Sequence, residues 1–249
     1  IDSSGITMSS GTVNGVGISS GITNFTDSIL ISQNASTGTL DSASNNTGLG
    51  DSVFAALTSG DANTAIGKDA MNATTTGSNN VGIGTGALDT NTTGNLNTAV
   101  GRSAMFANTT GANNVAVGFG ALDANTTADN NTALGYNALT ANTTGTDLVA
   151  VGMSALTDNT TGNGNVAVGR FVLGDNTTAN GNTAMGGYDG TVQPAMRVNT
   201  TGAANVAIGS GALAANTTAS NNTAVGYASL GANTTGTFNA SVGTFSLDA

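Results

Sequence analysis

Along most of the chain, short apolar bursts alternate with polar turns, and the bursts recur with a fixed period. In Asn114-Val115-Ala116-Val117-Gly118 larger and smaller side chains alternate, the pattern of a short strand. The next burst, Ala121-Leu122-Asp123-Ala124-Asn125, is too short for a helix, and an Asn-Thr-Thr break ends it. Glycines recur at Gly50, Gly67, Gly84, Gly101, Gly118, Gly135, Gly152, Gly169 and Gly186, each seventeen positions after the last. The series then takes a longer step of twenty-three to Gly209 and resumes its usual interval with Gly226 and Gly243. An aliphatic stands immediately before each glycine, from Leu49 through Val117 and Leu134 to Val242. A second large apolar residue stands four after it, as at Phe54, Met71, Leu122 and Leu247, preceded by a small residue that is usually Ala.

A unit this short cannot bury its own apolar face, but stacked units can share one core. The expected fold is therefore all-β: a parallel β-solenoid with one unit per coil, each large aliphatic lying over its counterpart in the previous turn. Each glycine is expected at a corner that demands positive φ or close backbone approach. The Asn columns, such as Asn91, Asn108, Asn125 and Asn142, or Asn97, Asn114 and Asn131, are expected to form amide ladders from coil to coil. About twelve coils at ~4.8 Å make a rod on the order of 55–60 Å long, spanning residues 46–249. Residues 1–45 lie outside this register and read as an extended N-terminal connector or cap. They repeat Ser3-Ser4-Gly5-Ile6-Thr7 as Ser19-Ser20-Gly21-Ile22-Thr23, and their best strand is Ser28-Ile29-Leu30-Ile31-Ser32. The chain starts at Ile rather than Met, and Ala249 falls part-way through a coil, so a processed start and a continuation are both expected.

Composition narrows the chemistry. There is no His, Cys, Trp or Glu, and only four Lys plus Arg stand against 14 Asp. That leaves no imidazole base, no thiolate, no Cys/His metal cage and no disulfide framework. The net charge of −10 argues against nucleic acid or an anionic membrane as partner. The longest run of large aliphatics, Ile29-Leu30-Ile31, is far too short to insert in a membrane. A Ser nucleophile would lack its base, and no pair of Asp residues is singled out by spacing, so an enzyme is not expected. Asp89 and Asp123 share a column but sit two coils apart, too far to hold one cation, and neither a metal nor a cofactor is expected.

The cores Asn-Val-Ala-Val-Gly-x-Gly-Ala-Leu and Asn-Thr-Ala-Leu-Gly-Tyr-Asn-Ala-Leu, over about residues 45–249, resemble the head repeats of YadA-like trimeric autotransporter adhesins. They also resemble phage tail fibre segments built on Asn-Thr-Ala-Val-Gly-Tyr-x-Ala-Leu followed by Asn-Thr-Thr-Gly. The adhesin repeat is about three residues shorter, and the N-terminal Gly-Ile-Thr pieces look more like fibre connectors. The resemblance implies a left-handed β-roll in a homotrimer, extracellular on a virion tail fibre or cell surface. It implies mechanical reach with multivalent attachment to a host glycan or receptor. The alternatives are a secreted self-assembling filament whose N-terminal segment pairs with a neighbour's edge, and an ice-binding solenoid using its Thr columns. Adjacent Thr residues face opposite ways, so only half of them could join one such array.

The single break in period is the most informative local feature. Restoring the register puts Ala195 and Met196 at the usual Ala-Leu positions, so residues 187–194 form an eight-residue link where other coils use two. Tyr188 and Asp189 lie in this insertion and Arg197 follows it, making these three the candidate receptor contact. The residue just after each glycine varies and carries Lys68, Arg102, Phe119, Tyr136, Met153, Arg170 and Tyr227, a partly aromatic stripe expected to pack between chains. Nine Asn-Thr-Thr triplets match the N-glycosylation pattern, but on successive coils they would crowd, and turn chemistry accounts for them better.

Overall fold

The computed structural model describes residues 41–247 and, ahead of them, the strands Thr12–Val13, Val16–Ser19, Phe25–Thr26 and Ile29–Ser32. Twelve three-residue strands, from Thr47–Leu49 to Ala240–Val242, stack in chain order into one parallel sheet, with no helix among the described residues. Val115 pairs with Thr132, Ala116 with Ala133 and Val117 with Leu134, so one period of the sequence makes one coil. The register crosses the long interval unchanged, Thr183 pairing with Val206 and Met185 with Ile208, so the extra residues loop out of the stack. The protein is thus a parallel β-solenoid of seventeen-residue coils.

The parallel ladder begins earlier than the glycine period alone indicates. Ile29–Ser32 already pairs in parallel with Thr47–Leu49, Ile29 opposite Thr47. Val16–Ser19 then runs antiparallel to Ile29–Ser32, and Thr12–Val13 antiparallel to Val16–Ser19. The Ser3-to-Thr7 repeat lies outside the described residues.

The core differs from the expectation in one respect. The aliphatics before the glycines do not fill it. A strand of three residues between two corners turns only its middle side chain inward, because side chains alternate with period two. Ala116, Ala133 and Ala150 are therefore fully buried, while the larger residues on either side face outward. Leu49 is 48% exposed, Leu134 37% and Met185 41%. The interior is filled instead by the residue four after each glycine: Phe54, Met71, Leu88, Leu122, Leu139 and Leu156 are all fully buried. The two positions compensate each other in volume. At Gly82, which stands where other strands carry Ala, an added methyl would lie 2.9 Å from Cγ of Met71.

Each coil closes through left-handed backbone. Leu122, Leu139 and Leu156 have φ of 55°, 54° and 51°, although such angles cost a non-glycine residue roughly 1–2 kcal/mol. What holds them there is hydrogen bonding: Leu122 N–H donates to the Ala138 carbonyl at 2.9 Å, and Asn125 N–H to the Leu122 carbonyl at 3.2 Å. At the strand end Gly118 takes φ 137°, and a Cβ there would run into the Gly135 carbonyl of the next coil. Both reasons for a corner glycine apply at once.

Two amide ladders run through the interior. Asn108 Nδ2 donates to Asn91 Oδ1 at 2.8 Å, Asn125 to Asn108 at 2.8 Å, and Asn142 to Asn125 at 3.2 Å. The second amide hydrogen goes to a backbone carbonyl three residues on, as from Asn125 to Ala128 at 3.1 Å. In the other column, Asn114 N–H donates to Asn97 Oδ1 at 3.0 Å, and Asn114 Nδ2 also reaches the Ala128 carbonyl at 2.9 Å. One carbonyl thus accepts from both ladders, using both of its lone pairs. Both columns are fully buried over most of the stack, so the amides are satisfied by one another and by backbone rather than by water.

Candidate functional site

The insertion is tied down at both ends by the coils around it. Tyr188 N–H donates to the Arg170 carbonyl at 3.3 Å, Ala195 N–H to the Gly186 carbonyl at 2.9 Å, and Gly211 N–H to the Gln193 carbonyl at 2.8 Å. Val192 packs where a side chain on Gly211 would be, 2.5 Å from its hypothetical Cβ. Asp189 folds the tip: its Oδ1 accepts from Thr191 N–H at 2.8 Å, Thr191 Oγ1 at 2.9 Å and Val192 N–H at 2.8 Å. Those donors, the Val192 amide first, hold its carboxyl below the usual range. Tyr188 donates its hydroxyl to the Gly190 carbonyl at 3.2 Å.

Between the insertion and the preceding coil lies a pocket of about 210 Å³ lined by Phe171, Tyr188, Gln193, Pro194 and Arg197. The structure therefore brings Tyr188 and Arg197 together and gives Asp189 work within its own loop. Arg197 lies with its guanidinium carbon 5.3 Å from the Phe171 ring centre, and its Nε donates to Asp175 Oδ1 at 3.1 Å. Gly174 makes room for it, since a methyl there would meet Arg197 Nε at 2.9 Å. Arg170 stands 4.8 Å from the Phe171 ring centre and 5.7 Å from that of Tyr188, within cation–π range of both. Among the described residues no carboxylate pairs with Arg170 and its guanidinium donates no hydrogen bond. Two of the chain's four cations thus gather on one aromatic ring. The period break in the sequence covers Tyr188, Gln193 and Pro194 and adjoins Arg197, but it gives no sign of Phe171. The one signal for Phe171 is its place two after Gly169, next to the variable column.

The column following the glycines is exposed and partly stacked. Phe119 and Tyr136, on successive coils, have ring centres 5.4 Å apart and planes 11° apart, with Arg102 5.6 Å from the Phe119 centre. Phe119 and Tyr136 are 43% and 53% exposed. The first Thr of most Asn-Thr-Thr triplets is engaged, Thr109 Oγ1 donating to the Thr126 carbonyl at 2.9 Å and its counterparts from Thr92 to Thr200 likewise, whereas the second Thr is exposed. A single Thr column is thus open to solvent at the turn.

Carboxylates are scattered. Burial raises the Asp123 carboxyl above its usual range, and Asp123 Oδ1 is buried without a hydrogen-bond partner. Burial first, then the charge of Asp69, raises Asp89. Asp158 is raised by burial and by Asp175, against the lowering effect of Arg197. Among the described residues no three acidic groups gather as a metal site would require, and no helix is long and apolar enough to cross a membrane. No family model, no curated protein and no solved structure matches this chain.

Proposed function

We propose that the chain is the shaft or head section of an extracellular fibre or adhesin, working as a homotrimer that gives reach and presents attachment points to a host surface. One observation carries the reading. The aliphatic before each glycine, from Leu49 to Val242, projects from the outer face of the parallel sheet without a gap, flanked two residues earlier by Thr or Val on most coils. Side by side on twelve coils, these residues make a flat apolar strip roughly 50 Å long, in a chain with few charges to interrupt it. A continuous strip of that length is unusual on a monomer exposed to water and fits burial against other copies. Three-fold association comes from the resemblance to trimeric adhesin heads and tail fibres. The regular stack, with its buried amide ladders and few loops, suits a protein that works outside cells. The role is structural and adhesive, with no catalytic step assigned to any residue.

Solution mass and negative-stain imaging test it together. Three chains of 23.9 kDa in a short rod are expected. Single particles of one chain would overturn the reading, and long polymers would favour end-to-end assembly into a filament instead. A thermal-hysteresis measurement is expected to show no ice-binding activity.

A further inference from the structure

We infer that the pocket beside the insertion is a binding site for a carboxylate-bearing sugar, such as a sialic or uronic acid residue of a surface polysaccharide. The inference rests on the attachment reading above and names the ligand class of that surface. Three features of the pocket lining combine with a fourth group, Arg170, that stands against two of its rings. Tyr188, 42% exposed, supplies an aromatic face, the surface on which the C–H side of a sugar ring stacks, while Phe171 is the ring on which both guanidinium groups rest. Gln193, exposed at the rim, offers an amide that both donates to and accepts from hydroxyls. Arg197 is positioned in advance by Asp175 and by the space at Gly174, and its Nε bond leaves the two terminal nitrogens uncommitted. Arg170, held against the rings of Phe171 and Tyr188 with no anionic partner among the described residues, carries the charge that remains to be matched. A guanidinium fork matches a carboxylate through paired N–H donors, and holding it on an aromatic face beforehand reduces the ordering cost on binding.

The surroundings make this local arrangement selective. The chain as a whole carries a charge of −10, so nothing general attracts anions to it, and two of its four cations meet here. A simple acidic peptide would use the cations but not the combination of the Tyr188 face and the rim amide. In an oligomer each chain would present one such pocket, so weak single-site binding would be multiplied by avidity.

The test uses the full chain, titrated by ligand-observed NMR with sialyllactose and a galacturonic acid trimer, against lactose and N-acetylglutamate. The acidic sugars are expected to bind at least tenfold more tightly than either control. Arg170→Gln is expected to erase the preference over lactose, and Arg170→Lys to retain part of it. Tyr188→Ala is expected to weaken the acidic sugars at least tenfold, with the circular dichroism and solution mass of each variant unchanged. Equal binding of lactose, equal binding of N-acetylglutamate, or an Arg170→Gln variant with wild-type preference would each overturn the assignment. A trimeric rod that binds no acidic sugar sinks this inference and leaves the fibre reading standing. A single-chain particle that binds them does the reverse.

Discussion

Asn125 shows how much a single side chain does in this molecule. Its amide donates to Asn108 and to the Ala128 carbonyl and accepts from Asn142, all out of reach of water. Replacing it by Leu orphans two or three buried polar groups at ~1 kcal/mol or more each, so Asn125→Leu is expected to cost about 3 kcal/mol in chemical denaturation. The ladder has a defect at its start: Thr74 occupies the same column, and its buried Oγ1 has no partner. Thr74→Asn would extend the ladder by one rung towards Asn91, and a gain of about 1 kcal/mol is expected. Asp123 supplies a pH dependence. Its folded-state pKa is raised by burial, so the folded chain takes up a proton before the unfolded chain does. Stability therefore rises as pH falls through the raised value and levels off below the ordinary carboxylate value. Asp189 acts in the opposite sense, so the informative quantity is a difference between variants. Asp123→Asn is expected to raise the melting temperature at neutral pH and to lose part of that advantage over wild type as the solution is acidified.

The coil is held by its corners more than by its strand. Three residues of ladder are little, and the remaining backbone is kept in place by left-handed leucines bonded to the next coil. Gly118→Ala tests the corner: a methyl there meets the Gly135 carbonyl while the backbone sits at φ 137°. A loss of roughly 2–3 kcal/mol is expected in chemical denaturation. Ala at the open loop residue Gly190 is expected to cost less, since a Cβ there meets nothing within 4 Å although its φ of 101° carries some strain. The insertion leaves the neighbouring coils in register because its ends return to the ladder, Ala195 to Gly186 and Gly211 to Gln193. Its conformation is set locally, by Asp189 turning the tip and by Val192 lying over Gly211.

Stacked, the coils form a quasi-linear object in which each touches only its neighbours, so defects act locally and a surface repeats along the whole length. The apolar strip on the outer sheet face is the clearest such surface. Introducing charge at its centre, with Val117→Asp and Val151→Asp together, is expected to reduce the solution mass to that of one chain while leaving the β-type circular dichroism intact. Both side chains project outward, 39% exposed at Val117 and half-buried at Val151, so the core is untouched. An unchanged mass would show that this face is not where copies meet.

The coil length, the parallel stacking, the corner glycines and the amide ladders are all legible in the chain itself. Each follows from a residue type recurring at a fixed interval: glycine where the backbone needs it, asparagine where donors and acceptors must match their own kind in the next turn. The looped-out insertion is legible too, because one longer interval, from Gly186 to Gly209, interrupts the period without changing what flanks it. Direction is another matter, and folding alone decides it. Alternation says that Val117 and Ala116 face opposite ways, but not which of them faces in. That depends on how much volume a closed coil leaves once Leu122 has entered it, and the answer is room for a methyl group. The same holds for the pocket: Phe171 and Tyr188 belong to different coils, and only the folded path of the insertion brings their rings to Arg170.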